Sequence, residues 1–419
     1  MVDNNQASEN QQLKVNDYLH TVMPAMFTDW YPDVIIIGAG LYGLTIAQQA
    51  SEHDYNALII EAREHIGGNC YSYVDSQTGA VIHKYGAHIF HTSNPIVWHY
   101  VNRWSSFTDY EHHVFTVHNS EVYSLPINLG TINQFFHAHY TPSEARRLIL
   151  KQAGEYADVE PSNLNEQGIK LIGKPLYDAF IKNYTAKQWN TDPSELPASV
   201  ITRLPVRYNY NNRYFQDTWE GIPTDGYTEW FTRMIDNPNI RVITNVDFLD
   251  SSQALSKANL LGMIPIVYTG PIDKWFDYKY GRLSYRTVFF KEHYYNENNH
   301  LGCAVMNYAD ADVPYTRSIE FKNFNPERNY MQSHDKTVVW DEYSKKTGKD
   351  DEPFYPVRTK SDMKLYEQYA RMIDNEPGVH IGGRLGSYKY YDMDDTILSA
   401  LTDYDRTVEP LIRMFTCEQ

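Results

Sequence analysis

An α/β fold with a helical insertion and an antiparallel β-sheet domain is predicted by three features of the 419-residue chain. The stretch DVIIIGAGLYGLTIAQQ, Asp33 to Gln49, runs apolar residues into a glycine triplet and then into a helix-like segment. Leu164 to Trp189 places Tyr177, Phe180, Ile181 and Tyr184 at i, i+3, i+4 and i+7, the repeat of one helix face. Tyr280 to Tyr315 carries short β-branched and aromatic runs, such as YRTV and TVFF, that suit antiparallel strands.

Taken in order, residues 1–32 lack the basic start and apolar core of a signal peptide and read as a polar extension. Val34 to Ile37 reads as a buried strand, Leu41 to Glu52 as the helix after it, and Ala57 to Ile60 as a second strand ending in Glu61. That β-α-β order, with the acid 21 positions after Gly40, is the pattern of a Rossmann-like dinucleotide site. Gly38 allows the tight turn, Gly40 lets the backbone approach a pyrophosphate, and Gly43 lets helix and strand pack closely. The helix N-terminus favours the negative charge. From Pro126 the pattern turns helical, over Ser143 to Tyr156 and then Leu164 to Trp189, whose aromatic face is, on spacing alone, ordinary helix packing. Leu204 to Gly221, LPVRYNYNNRYFQDTWEG, is rich in Arg, Asn and Tyr and groups with the sheet. Ser344 to Glu352, SKKTGKDDE, reads as a solvated loop. From Ile381, IGGRLGSYKYYDMDDTILSA repeats the grammar of strand, glycine turn and helix start.

Composition narrows the function. With 53 acidic against 37 basic side chains the formal charge is −16, which argues against nucleic acid or an acidic membrane as partner. An anionic ligand then needs a local group of arginines. Cys70, Cys303 and Cys417 are odd in number and widely separated, so neither a disulfide framework nor a zinc site is expected, and a cytoplasmic setting fits. No run approaches the roughly 18 apolar residues of a membrane span. The 35 tyrosines offer flat faces and hydroxyls suited to sugars and bases.

Glu61 is placed to accept hydrogen bonds from ribose hydroxyls, and a carboxylate there disfavours a 2′-phosphate, which leaves FAD or NAD. The second glycine pair, in EAREHIGGN from Glu61 to Asn69, resembles the second loop of two-dinucleotide-domain flavoproteins and favours FAD. In HKYGAHIFHTSNPIVW, His83 to Trp98, His88 and His91 stand three apart, but no third ligand follows at metal spacing. No metal is expected; imidazole beside a flavin is the better reading.

The segments GAGLYG, EAREHIGGN, YGAHIFHT, SLPINLGTINQFF, NYTAKQW, LPVRYNY, YGRLSYRT, AVMNYADADVPYTR and GRLGSYKYYDMD follow one another from about residue 33 to residue 400. Together they resemble the bacterial UDP-galactopyranose mutases. The resemblance implies interconversion of UDP-galactopyranose and UDP-galactofuranose through a covalent adduct of the sugar C1 with N5 of reduced FAD, without net redox change. It further implies NAD(P)H or another reductant and a homodimer. Arg207 and Arg286 take the places of the diphosphate-binding arginines and, with His91, are the catalytic candidates. Phe180 and Tyr184 match residues that sandwich the uracil. Thr185 and Trp189 match the uridine end, Trp189 on a loop that closes over substrate. Tyr214, Tyr315 and Tyr390 match tyrosines that hydrogen-bond the diphosphate. Gly38, Gly40, Gly43, Glu61, Gly68, Asn69, His88, Ile89, Arg384, Asp392 and Met393 are assigned to the FAD.

Two positions depart from that pattern: Tyr42 stands where a small residue is usual, with crowding beside the pyrophosphate as the expected effect, and Ala87 stands for Pro in the histidine loop. The expected domains are the extension (1–32), a discontinuous FAD-binding domain (33–105, 220–272 and 376–415), a helical domain (128–200) and an antiparallel sheet domain (106–127, 201–219 and 273–375). A flavin amine oxidase shares the glycine fingerprint but does not account for Arg207 and Arg286 within their motifs. A binding protein that keeps FAD without chemistry is the third class.

Overall fold

The computed structural model describes residues 14–201, 206–325 and 335–416; Leu204, Pro205 and Cys417 lie outside the described residues. Val34–Ile37 pairs in parallel with Ala57–Ile60 on one side and Ile266–Tyr268 on the other. Five parallel strands result, in the order Val379–Ile381, Ile266–Tyr268, Val34–Ile37, Ala57–Ile60, Ile240–Ile243. Successive side chains of a strand point to opposite faces. Accordingly Val34, Ile36, Ala57 and Ile59 enter one core, while Ile35, Ile37, Leu58 and Ile60 enter another. Both faces are covered, which is why these strands are continuously apolar rather than alternating. The helix Leu41–Glu52 follows directly from Gly40 and packs on the first of those cores.

The extension is not simply polar. A helix spans residues 14–22, and Val15, Leu19, Phe27 and Trp30 are buried in the second core beside Ile35 and Ile37. Val15 and Leu19, one helical turn apart, share a face that covers the sheet. The helix Lys360–Ile373, in the range expected for the sheet domain, buries Tyr369 in this same core.

The helical insertion holds Pro142–Ala153 and Leu164–Ile172, each capped by an Asn or Thr side chain. The continuous helix expected to Trp189 is broken at Gly173, whose φ of +76° no helix accommodates. The chain then resumes, widens into a π turn over Tyr177–Lys182, and ends as the helix Asn183–Trp189. Tyr177, Phe180 and Ile181 are buried in the insertion's own core.

A seven-stranded sheet completes the fold, in the order Tyr355–Pro356, Tyr285–Tyr295, Thr337–Lys346, Arg317–Glu320, Val305–Tyr308, Val114–His118, Glu121–Leu125. It is mixed rather than wholly antiparallel, because Val305–Tyr308 runs parallel to Val114–His118. These strands come from distant parts of the chain, so no tight turn dictates their direction. Of the segment Leu204 to Gly221, the described part from Val206 does not join this sheet as a strand. Val206 to Thr218 is irregular apart from a bridge between His113 and Arg213, and Trp219–Gly221 pairs instead with Phe90–Thr92. Its asparagines dictate this: Asn209 and Asn211 each accept the backbone N–H two residues on, at 3.0 Å, which makes turns. The loop expected from Ser344 begins at Thr347, since the strand continues to Lys346.

Candidate functional site

One cleft of about 1890 Å³ reaches Ile37, Ile60 and Tyr268, each the last residue of a parallel strand, and extends between the helical insertion and the mixed sheet. Ligands of open parallel sheets collect at such carboxyl ends. The volume exceeds the roughly 300–1,000 Å³ of a usual small-molecule site.

At the sheet end two glycine loops touch. A Cβ on Gly38, whose φ is +106°, would lie 2.1 Å from Thr269 Oγ1, and one on Gly68 would lie 2.9 Å from the Gly40 Cα. Gly40 and Gly67 form a parallel bridge. Glu61 is fixed between them, one carboxylate oxygen accepting the Ala39 N–H at 2.7 Å and the other the Arg63 N–H at 2.8 Å. Each oxygen retains a second lone pair. Arg63, which the sequence reading passed over, donates to Asn69 Oδ1 at 3.0 Å and pairs with Glu352 at 2.6 Å. Its other terminal nitrogen, Nη1, is buried in the wall of the cleft without a partner among the described residues. The glycine contact, the anchored carboxylate and the unpaired guanidinium nitrogen fit a dinucleotide with its ribose and phosphates. Gly43 lies behind the cleft, where a Cβ would meet the Gly38 carbonyl oxygen at 2.1 Å, so it serves helix-to-strand packing.

Tyr42 is 3% exposed, and its ring covers Gly382 and Gly383 of the second glycine turn. Its hydroxyl donates to Asp403 at 2.7 Å and contacts His380 Nε2 at 2.9 Å. Tyr42 also lines the cleft next to Gly40, so it meets both the first glycine loop and the second turn. Arg384, Asp392 and Met393 from this turn, together with Ala87, His88 and Ile89, face the cleft. Asp392 occupies the N-cap of Met393–Asp403 without a side-chain capping bond. Burial pushes the His88 pKa down to about 4, and His88 Nδ1 lies 2.8 Å from the Gly86 carbonyl oxygen. A neutral ring at pH 7 therefore donates from Nδ1 and keeps Nε2 as an acceptor. His91 stacks on Phe215 at 3.7 Å, and its Nδ1 meets Asp217 at 2.9 Å. Among the described residues no group of three or more His, Cys, Asp or Glu could hold a metal.

At the other end Arg207 and Arg286 line the cleft, 5% and 4% exposed. Arg207 donates to the carbonyls of Asn211, Arg213 and Tyr214, and its Nε is buried without a partner. Arg286 donates to the Gln188 carbonyl at 3.2 Å and to Ser344 Oγ at 2.9 Å. Burial lowers the Arg286 pKa to about 10, which leaves it charged at pH 7. Among the described residues neither has a carboxylate within ion-pair distance, so two positive charges are held by neutral oxygens. Arg317 lines the same wall and differs: its guanidinium is bound to Glu342 at 2.7 and 2.9 Å. The sequence reading missed it although it ends the quoted segment AVMNYADADVPYTR.

Tyr184, Thr185, Trp189, Tyr214 and Tyr390 all face the cleft, and Tyr390 stacks on Tyr355 at 5.5 Å. Phe180 reaches it too, but is 3% exposed and packed edge-on against Tyr123 and Phe135 at 4.9 and 5.5 Å. Tyr315 lies outside the lining; its ring packs on Tyr308 and Tyr343.

Comparison with known proteins gives a match to the UDP-galactopyranose mutase family over residues 179–390 and to the NAD(P)-binding Rossmann-like domain over residues 36–104. A probable UDP-galactopyranose mutase of Klebsiella pneumoniae is 44% identical over 373 residues, 89% of this chain and 94% of that protein. A dTDP-fucopyranose mutase of Escherichia coli is 39% identical over 374 residues, 88% and 96% of the two. The crystal structure of a reduced UDP-galactopyranose mutase superposes with a TM-score of 0.68 at 15% identity, covering 92% of this chain and 97% of that one, a likeness of fold.

Proposed function

The chain belongs to the UDP-galactopyranose mutase family and is an isomerase, and on that premise we propose that it interconverts UDP-galactopyranose and UDP-galactofuranose beside a bound, reduced FAD. The observation that carries the reading is the pair Arg207 and Arg286, two buried guanidinium groups without carboxylate partners among the described residues, in a protein of charge −16. A diphosphate, with two charges and planar oxygen pairs, suits such groups.

In this reading Arg207 and Arg286 bind the diphosphate and stabilise it as it leaves the anomeric carbon, where charge develops most. Because both are already fixed by carbonyl and hydroxyl oxygens, little reorganisation is needed at that moment. Arg317 adds a third cation that Glu342 largely neutralises, so it orients more than it attracts. The hydroxyls of Tyr214 and Tyr390 supply further donors at the diphosphate, while Tyr184 and Trp189 offer faces to the base. Gly38, Gly40, Gly68, Glu61, Asn69 and Arg63 hold the dinucleotide, and His88, Ile89, Arg384, Asp392 and Met393 enclose the flavin end. When bound and reduced, the flavin supplies a nucleophilic nitrogen for the anomeric carbon, so that the ring is exchanged without net redox change. Uncharged at pH 7, His88 adds no cation to compete with the arginines for the diphosphate.

The test is to give dithionite-reduced and air-oxidised protein UDP-galactofuranose and to chromatograph the products, with dTDP-fucopyranose run in parallel. Conversion of the UDP sugar by the reduced form alone is expected. Equal rates in the two redox states would overturn the nucleophilic role. Turnover of the dTDP sugar alone would reassign the substrate.

A further inference from the structure

Lys187, on the helix Asn183–Trp189, reaches away from the cleft into the connection between the strands Val305–Tyr308 and Arg317–Glu320. Its Nζ lies 2.7 Å from the carbonyl oxygen of Tyr308, 2.9 Å from those of Asp310 and Val313, and 3.1 Å from that of Tyr315. Among the described residues no carboxylate comes within ion-pair distance of it. Four main-chain carbonyls converging on one point are the donor set that replaces the water around a bare monovalent cation. An ammonium has three N–H groups, so the fourth oxygen is held by charge rather than by a bond of its own.

The cage is braced from behind. Asp310, whose carbonyl faces Lys187, turns its carboxylate to His118 Nδ1 at 2.5 Å and to the Asn119 N–H at 2.8 Å. The loop is thereby fixed to the hairpin of Val114–His118 and Glu121–Leu125. The helix is held at a second point, where the Gln188 carbonyl accepts from Arg286 and from Ser344 Oγ at 2.6 Å. Tyr184, Thr185, Gln188 and Trp189 of this helix line the cleft, and so does Arg317, two residues beyond the last carbonyl of the cage.

We propose that Lys187 is a positioning residue, a tethered cation that fills a backbone-carbonyl cage and so holds the nucleotide-facing helix Asn183–Trp189 against the strand that begins with Arg317. This rests on the reading of the cleft as a UDP-sugar site. It assigns Lys187 no contact with substrate; it acts through Tyr184 and Trp189. Burial lowers the Lys187 pKa to about 8, opposed by Asp310 and Asp312; the other groups at the cage are Tyr308, Tyr315 and, behind Asp310, His118. The ammonium is charged at pH 7 and loses its charge as the pH rises through about 8.

The experiment measures UDP affinity by calorimetry, and KM and kcat separately, for the flavin-loaded wild type, Lys187→Ala and Lys187→Met. UDP affinity and KM in Lys187→Ala should each worsen by about tenfold, about 1.4 kcal/mol, with kcat at saturation little changed. Propylammonium, which replaces the deleted chain and its charge, should restore binding, whereas tetramethylammonium at equal ionic strength should not. A lysine that only stabilised the fold would lower the melting temperature and kcat together and would not be rescued. In the wild type, UDP affinity should fall as the pH rises from 7 to 8.5, below the range in which Arg286 and the uracil N–H lose their protons, and in Lys187→Met it should be flat over that range. Unchanged UDP affinity in Lys187→Ala, a loss that propylammonium does not repair, or a flat wild-type profile would each overturn the proposal. Lys187→Arg, which keeps a charge but not the compact ammonium, gives a second variant should the shorter ones fail to fold, and it too should bind UDP more weakly than the wild type. Failure of the wild type to bind UDP at all would instead remove the reading of the cleft on which the proposal rests.

Discussion

The two ends of the cleft are built by different means. The dinucleotide end is made of backbone: two glycine loops in contact, a helix N-terminus, and a carboxylate gripped by two main-chain N–H groups. The end proposed to take the nucleotide sugar is made of side chains delivered by separate parts of the chain, Tyr184 by the insertion, Arg207 by an irregular segment, and Arg286 and Arg317 by two strands of the mixed sheet. Backbone sites depend on where atoms are excluded; side-chain sites depend on where charge is held. Substitutions should therefore damage the two ends in distinguishable ways, the first by losing the dinucleotide and the second by losing turnover with the dinucleotide retained.

The largest effect is expected at Gly68. Its φ is +55°, and a side chain there would push into the Gly40 backbone, which cannot move without opening the first loop. Gly68→Val should purify without flavin absorbance, while a near-native circular dichroism spectrum is kept by the parallel sheet. Flavin retained at the wild-type ratio would break the distinction. Next comes Arg286→Ala, which in the proposed reaction removes a preorganised cation from the leaving group. It should lower kcat/KM by about 10²–10³ with full flavin content, and Arg207→Ala should behave alike. Loss of flavin in either arginine variant would mean that the two ends are not separable.

The same division governs how much was legible in the sequence. Val34–Ile37, Leu41–Glu52 and Ala57–Ile60 follow from neighbours in the chain, because strand, glycine turn and helix are specified within thirty residues. The extension was misread because Val15, Leu19, Phe27 and Trp30 are apolar islands in a polar stretch, and only the sheet face they cover gives them a purpose. The irregular path of Val206 to Thr218 follows from Asn209 and Asn211, whose side-chain turns overrode an aromatic composition that suited strands. Arg207 and Arg286, which the structure brings to the cleft wall, are marked by their motifs, whereas Arg317 and its partner Glu342 lie 25 residues apart and meet only across paired strands. Tyr42 was noticed as an oddity, but its partner Asp403 is 361 positions away. No local reading could have supplied it.

A smaller effect sharpens the contrast at Glu61. Glu61→Gln keeps the shape but turns one acceptor into a donor, so the N–H of Ala39 or of Arg63 loses its partner. One unmet buried donor costs about 1–3 kcal/mol, and flavin affinity should fall roughly tenfold or more, while kcat of the flavin-saturated protein stays close to wild type. A fall in kcat with unchanged flavin affinity would place Glu61 on the wrong side of the division.

The effect that separates the two ends least concerns three histidines, of which His83 and His112 are buried and His88 is half-buried beside the cleft. Burial lowers their pKa values to about 3, about 4 and about 3, against an ordinary value near 6.5. His83 must in addition stay unprotonated at Nδ1, which accepts the His88 N–H at 3.1 Å. The unfolded chain therefore takes up protons below pH 6.5 that the folded protein refuses, and stability falls as pH drops from there toward 4. Above 6.5 the three rings are neutral in both states and contribute no pH dependence. The urea midpoint should accordingly be nearly level from pH 8 to 7, decline by pH 6 and fall more steeply by pH 5, before most carboxylates titrate. His112→Phe should shallow that decline, since it deletes one of the three protonation sites in the unfolded chain. A midpoint that held level to pH 5 would mean that these rings gain compensating partners on protonation, and their surroundings would then be polar rather than dry.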